Sequence, residues 1–295
     1  VRKRLRFGGL TGTLVAAAAL LVAVPPASSA TVPRQQAVGD VALYQPLQDA
    51  LTAAAAKASD ESGIITFACV MDRSNGKVIA QTDNARDEVS SESLVKAVLA
   101  AYYLVTYKGK LPDDLNQRLH RMIEVSDDDL ASGYWTDAAV PTIAERYRLT
   151  TLRNYEPDPG MWGKTQISAC GMASFLYQAS HDPLVGPWLI SAMQDSADTG
   201  GDGFDQNFGF NAIAGTANKE GWGVSDGLGE LTGRPNIHTM GLTDRYVGVV
   251  LQSGPEGVYQ SMRPYSTATV QSLLDVDPPP APKAGKSWWA GSLSG

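Results

Sequence analysis

The 295-residue chain has two cysteines, three histidines and fewer basic than acidic residues, 24 Lys and Arg against 31 Asp and Glu. Two cysteines cannot staple a disulfide scaffold. His120, His181 and His238 lack the spacing of a metal-ligand set. A net charge of −7 leaves too little counter-charge for phosphate contacts and argues against a nucleic-acid partner. With 43% hydrophobic and 19% charged residues, disorder throughout is excluded. The apolar content suffices for the core of one domain, or of two closely packed ones.

The first thirty residues have their own pattern. Arg2, Lys3, Arg4 and Arg6 are followed by an apolar stretch from Leu10 to Val24, then by Ser28-Ser29-Ala30. That layout predicts a signal peptide cleaved after Ala30; the alternative is a single membrane anchor. The stretch is shorter than the ~20 residues of a membrane span and ends at Pro25-Pro26, so no stable span is expected once it is removed. Cleavage would leave 20 basic residues against 31 acidic ones, a net charge of −11. The expected location is secreted or cell-envelope.

Helical periodicity runs from Leu43 to Ser59, and short β-rich runs follow at Ile64 to Met71 and Lys77 to Gln81, joined by a turn at 72–76. From Ser91 to about Thr150 the pattern is helical, with one apolar face from Leu94 to Val105 and another helix over Leu115 to Val125. A further stripe carries Met172, Phe175, Leu176 and Ala179. After a Gly- and Asp-rich loop, strands are expected at Ile213 to Glu220, Ile237 to Leu242 and Tyr246 to Leu251, then a helix at Ser266 to Leu274. This order predicts an α/β (α+β) fold: a five-stranded antiparallel sheet flanked by N- and C-terminal helices, with an inserted all-helical lobe. The expected domain spans 31–276. Its sheet subdomain takes 40–85 and 210–276, its lobe 86–209, and 277–295 form a Pro-rich disordered tail. A cleft between sheet and lobe is the expected place for a site.

With 23 Ser and 10 Lys in the chain, chance alone yields about one Ser-x-x-Lys pair. There are two. Ser74-Lys77 falls in the turn with Asn75-Gly76, where serine is expected for turn chemistry. Ser93-Lys96 opens the apolar helix, with both residues on one helical face. A lysine in a desolvated cleft loses its proton more easily and can act as base for a neighbouring hydroxyl, whereas a capping serine and a solvated lysine would do no chemistry. Downstream stand Ser126-Asp127-Asp128 and, at the end of an expected strand, Lys219-Glu220-Gly221-Trp222.

These three motifs, in this order, resemble the S-x-x-K, S-D-N and K-T-G motifs of the serine β-lactamase and penicillin-binding D,D-peptidase superfamily, most nearly its class A β-lactamase-like serine hydrolases of actinobacterial type. The resemblance covers about Tyr44 to Leu274. It implies a secreted serine hydrolase that forms an acyl-enzyme on a carboxylate-bearing amide or ester, such as a β-lactam or a D-Ala-D-Ala-like peptide. Ser93 would be the nucleophile, Lys96 its base and Ser126 a proton relay to the leaving group. Lys219 would hold the substrate carboxylate, and the backbone N–H groups of Ser93 and Trp222 would form the oxyanion hole. Asp128, Glu220 and Gly221 would border the substrate. Asp128 stands in place of the motif asparagine and Glu220 in place of threonine. These exchanges also fit a catalytically impaired binding protein of the cell envelope, or a D,D-peptidase or esterase. Tyr155-Glu156-Pro157 resembles the class A W-E-P segment, which makes Glu156 a candidate deacylating base; the alternative is a solvated loop acid.

Cys69 and Cys170 are a candidate disulfide in a secreted protein, or two buried thiols. The loop with Asp198, Asp202 and Gly203 has glycines at two calcium-ligand positions, Gly200 and Gly209, so no metal is expected, and no cofactor. His238 would line the cleft or serve at a strand end. Trp162 and Trp222 are expected near the site. The expected partner is a small molecule or peptidoglycan peptide, met by a monomer.

Overall fold

The computed structural model describes residues 43–224 and 229–277. The expected signal peptide and Pro-rich tail lie outside the described residues, apart from Asp277.

The described residues begin with helix α1 (Gln45–Ser62) and run into strands β1 (Ile65–Asp72), β2 (Val78–Gln81) and β3 (Val89–Ser90). Helices α2 (Val95–Thr106), α3 (Asp113–Glu124), α4 (Asp128–Tyr134) and α5 (Ala139–Tyr147) follow. Strand β4 (Gln166–Ile167), helices α6 (Ala169–His181) and α7 (Gly186–Gln194), strands β5 (Ala217–Val224), β6 (Pro235–Leu242) and β7 (Tyr246–Ser253), and helix α8 (Met262–Leu274) complete it. The main sheet is antiparallel and five-stranded, in the order β2-β1-β7-β6-β5; β3 and β4 form a separate two-stranded ribbon.

The sheet is covered on both faces, and β1 shows why its sequence reads as an unbroken apolar run. Phe67, Cys69 and Met71 point into a core shared with α2 and α6, while Ala68 and Val70 pack with Leu47 and Leu51 of α1 and Val270 and Leu273 of α8. A strand buried on one face only would alternate apolar and polar residues. Helix α6 comes from the middle of the stretch expected as lobe, yet it packs on β1 and β7. The Cys69–Cys170 disulfide joins the two, with Cα atoms 5.0 Å apart. Helix α2 is sheathed on nearly every side, with Val95 to Ala101 all buried.

Several boundaries differ from the sequence expectation, each for a local reason. Helix α1 runs on to Ser62 because Gly63, at φ +61, supplies the left-handed cap that ends it. Strand β5 starts at Ala217, not Ile213. The Ile213 N–H is turned back onto Phe210 O, and Gly215, at φ +80, reverses the chain before the strand. Strand β5 also continues to Val224, because Gly221 and Gly223 are held in register opposite His238 and Asn236. Helix α8 starts four residues early because Pro264 sits in its first turn, where no amide donor is needed. Helix α7 and the β3–β4 ribbon had no counterpart in the pattern. No described helix is long and apolar enough to cross a membrane.

Candidate active site

Four side chains converge from three elements. Ser93 sits in a one-turn 3-10 helix (Glu92–Leu94) that leads into α2, and Lys96 follows one turn later. Lys96 Nζ lies 2.8 Å from Ser93 Oγ, 3.2 Å from Ser126 Oγ and 2.8 Å from the Ser126 carbonyl oxygen. Lys219 Nζ, from edge strand β5, donates to Ser126 Oγ at 2.9 Å and to the Glu220 carbonyl at 2.8 Å. Ser126 therefore stands between two amines. All four residues are buried. Ser126 holds φ at +55, unusual for a side-chain-bearing residue, and the next residue, Asp127, caps α4 by accepting from Leu130 N.

Burial governs both amines. Desolvation lowers the Lys96 pKa below its ordinary 10.5, although the carboxylate of Asp128 pulls it back up. Lys219 is pushed down to about 7 by burial and then by repulsion from Lys96. The Trp162 ring covers Lys96, its centroid 4.6 Å from Nζ, and its indole N–H donates to Ser132 Oγ.

The two acidic exchanges differ in placement. Asp128 is at the site: Oδ1 lies 2.5 Å from Lys96 Nζ, although the side chain is 62% exposed. Glu220 is not, because alternation along β5 sends Lys219 and Glu220 to opposite faces. Glu220 is buried on the far side, where it accepts from Thr239 Oγ1 and from the Asn211 backbone N–H. Burial raises its pKa to about 8.

Strand β5 is an edge strand, so alternate backbone groups face away from the sheet. The Glu220 carbonyl, which accepts from Lys219, is directed off that edge, as is the Asn218 carbonyl, which accepts from Ser196 Oγ. The two-residue repeat of a strand directs the Trp222 N–H the same way. A Cβ built on Gly221 would lie 3.0 Å from Ser93 N, so the glycine lets the strand approach the serine backbone. The Trp222 ring stacks on Phe204 at 4.7 Å, and its indole N–H donates to Asp202 Oδ2. Asp202 thus fixes Trp222; among the described residues no group of three or more His, Cys, Asp or Glu could hold a metal.

Glu156 is exposed in the loop before Trp162, and among the described residues no hydrogen bond joins it to Ser93, Lys96, Ser126 or Lys219. His238 is fully buried in β6. Its Nε2 donates to Ser90 O and its Nδ1 accepts from Gln252 N, so it ties the sheet to the segment before Ser93; burial holds its pKa at about 4. His120 and His181 stand elsewhere, against Asp195 and Tyr177 respectively. Sequence reasoning passed over Glu92 and Asn236, which adjoin the serine turn; the Gly221-x-Gly223 spacing opposite that turn was the available signal.

No protein-family model and no curated protein sequence matches the chain. Among solved structures it is similar to a β-lactamase from Xanthomonas campestris pv. campestris, at 15% identity and a TM-score of 0.59, over 77% of this chain and 97% of that one. The fold is β-lactamase-like.

Proposed function

We propose that the protein is a serine hydrolase of the β-lactamase and D,D-peptidase type, of the actinobacterial class A-like kind, which acylates Ser93. The observation that carries this reading is the buried contact of Ser93 Oγ with Lys96 Nζ, within a network that continues through Ser126 to Lys219. Neutral Lys96 takes the Ser93 proton as Oγ bonds to the substrate carbonyl carbon. The backbone N–H groups of Ser93 and Trp222 hold the oxyanion. Ser126 passes its proton to the leaving nitrogen or oxygen as the acyl bond breaks, and Lys96 restores it. Lys219, when charged, binds a substrate carboxylate, while Gly221 and Asp128 border the scissile group. Hydrolysis of the acyl-enzyme by water completes the cycle. The exposure of Glu156 favours its role as a loop acid over that of the base in this last step.

The substrate class that suits two lysines beside a serine is a β-lactam, a D-Ala-D-Ala-like peptide or another carboxylate-bearing ester or amide. The basic-then-apolar start of the sequence and the disulfide support an extracytoplasmic location, and the proposed partner of the monomer is a small molecule or peptidoglycan peptide. Labelling with a fluorescent penicillin and with a fluorophosphonate tests the reading. Wild-type protein is expected to label and Ser93→Ala is not; absence of any adduct on folded wild-type protein rejects it.

Two contacts favour a second reading, a cell-envelope binding protein of impaired turnover. The Asp128 carboxylate and the Trp162 ring both stabilise the charged form of Lys96, which cannot act as a base. On this second reading the wild-type protein labels without turnover and Asp128→Asn gains turnover; steady turnover by the wild-type protein rejects it.

A further inference from the structure

Glu92 is the residue immediately before the proposed nucleophile, and the mechanism above does not use it. It is buried, at 9% exposure, and holds φ at +47, a left-handed conformation that costs energy for any residue with a Cβ. Its carboxylate Oε1 accepts from Asn236 Nδ2 at 2.8 Å. Asn236 lies on β6 directly opposite Gly223 of β5. A Cβ built on Gly223 would fall 2.0 Å from Glu92 Oε2 and 2.6 Å from Cδ, so the carboxylate occupies the space that any side chain at 223 would need. One residue to either side of Trp222, the strand is therefore in contact with the serine turn: Gly221 against the Ser93 backbone N and Gly223 against the Glu92 carboxylate.

We infer that Glu92 is a positioning residue. Its carboxylate clasps the β5–β6 pair at Gly223 and Asn236, and so sets the separation between the backbone N–H groups of Ser93 and Trp222. This rests on the serine-hydrolase reading, which assigns those two groups to the oxyanion. A carboxylate seated against a glycine and bonded to the residue paired with that glycine resists both shear and splay of the edge strand. The left-handed backbone at 92 is held by this side-chain anchor, since a short side chain would let the turn relax and shift the Ser93 N–H. The effect on chemistry follows from geometry: oxyanion donors act only within hydrogen-bond distance of where the charge develops.

The test compares Glu92→Ala, Glu92→Gln and Gly223→Ala in the full chain, read as the maximal rate of Ser93 labelling and, separately, the half-saturating concentration of the fluorophosphonate. Glu92→Ala is expected to lower the maximal rate by about 100-fold or more, the scale of a lost oxyanion donor, with the half-saturating concentration changed less than about threefold. Glu92→Gln, which keeps the acceptor for Asn236, should recover most of that rate. Gly223→Ala leaves Glu92 in the chain but displaces its carboxylate, and should lower the rate by about tenfold or more. A maximal rate unchanged in Glu92→Ala, while labelling still depends on Ser93, overturns the inference and leaves the serine-hydrolase reading standing. If wild-type protein itself does not label, that reading falls, and amide hydrogen exchange at Ser93 and Trp222 decides the inference. Faster exchange at both in Glu92→Ala supports the clasp, and unchanged exchange overturns it. Should Glu92→Ala not fold, the Gly223→Ala rate decides in the same way.

Discussion

The chain contains two Ser-x-x-Lys segments that share a spacing and little else. Ser74 and Lys77 are exposed at the β1–β2 turn, where Ser74 Oγ donates to Asp72 Oδ1 at 2.6 Å and the Lys77 N–H donates to the Asn75 side chain. Ser93 and Lys96 lie at the start of an enclosed helix, and their side chains meet each other. In the turn, Ser74 Oγ and the Lys77 backbone N–H are spent on closing the hairpin, and the lysine side chain is exposed to water. At the helix start, burial strips the lysine of water and leaves the serine hydroxyl as a neighbour within reach. A serine–lysine pair gains chemistry from the dielectric around it, and the three-residue spacing supplies only the proximity.

The largest expected contrast comes from removing each serine. Ser93→Ala should abolish covalent labelling, whereas Ser74→Ala should leave the labelling rate unchanged and cost about 0.5–1 kcal/mol of stability from the lost turn hydrogen bond. Denaturant unfolding alongside the labelling assay separates the two effects. Next come the lysines. Lys96→Ala should lower the labelling rate by about 100-fold or more, the scale of a lost general base, and Lys77→Ala should not alter it. A Lys77 variant as damaged as the Lys96 one would erase the distinction between the pairs.

The pH dependence sharpens the same point. Lys96 must be neutral to accept the serine proton, so labelling by an uncharged reagent should rise with pH through the lowered Lys96 pKa. Asp128→Asn removes the carboxylate that holds this pKa up, and should move the rising limb to lower pH. At pH values on that limb the variant should be several-fold faster, about tenfold for each pH unit by which the limb moves. An anionic substrate adds a falling limb, because Lys219 loses its charge as pH rises past about 7. The two amines share Ser126, so the limbs belong to the pair rather than to either lysine alone.

The last expected effect concerns the opposite face of β5 and falls on stability, leaving labelling alone. Glu220 ionises near 4.5 when unfolded and near 8 when buried. Its contribution to stability is therefore full below pH 4.5 and is lost as pH rises towards about 8. Glu220→Gln keeps the shape and the acceptor for Thr239 without this titration. Its melting temperature relative to wild type should climb between pH 4.5 and 8 and level off above that. A constant difference across this window would show that Glu220 is not buried as described.

Much of the architecture was legible because it depends on local rules. The apolar run of β1, the stripe of α6 and the turn at 72–76 each follow from periodicity and turn chemistry. The convergence of Ser93, Lys96, Ser126 and Lys219 was implied by the resemblance of their motifs, in order, to those of the serine β-lactamase and D,D-peptidase superfamily. The placement of Glu220 on the far face follows from strand alternation alone, once β5 is known to include both 219 and 220. Glu92 escaped attention because its position depends on a left-handed backbone and on the register of Gly223 with Asn236, 131 and 144 residues away along the chain. The Lys96–Asp128 contact likewise needs the fold, since Asp128 stands in the exposed first turn of α4 and reaches inward.

Locating the covalent adduct tests the role of Ser93 without intermediate assumptions. After fluorophosphonate treatment and trypsin digestion, Ser93 falls in the peptide Asp87–Lys96 and Ser74 in the peptide Ser74–Lys77. A single adduct is expected, mapped by fragmentation to Ser93 and formed faster as pH rises through the Lys96 titration. An adduct on Ser74, Ser90 or Ser91, or none on folded protein, would contradict that role.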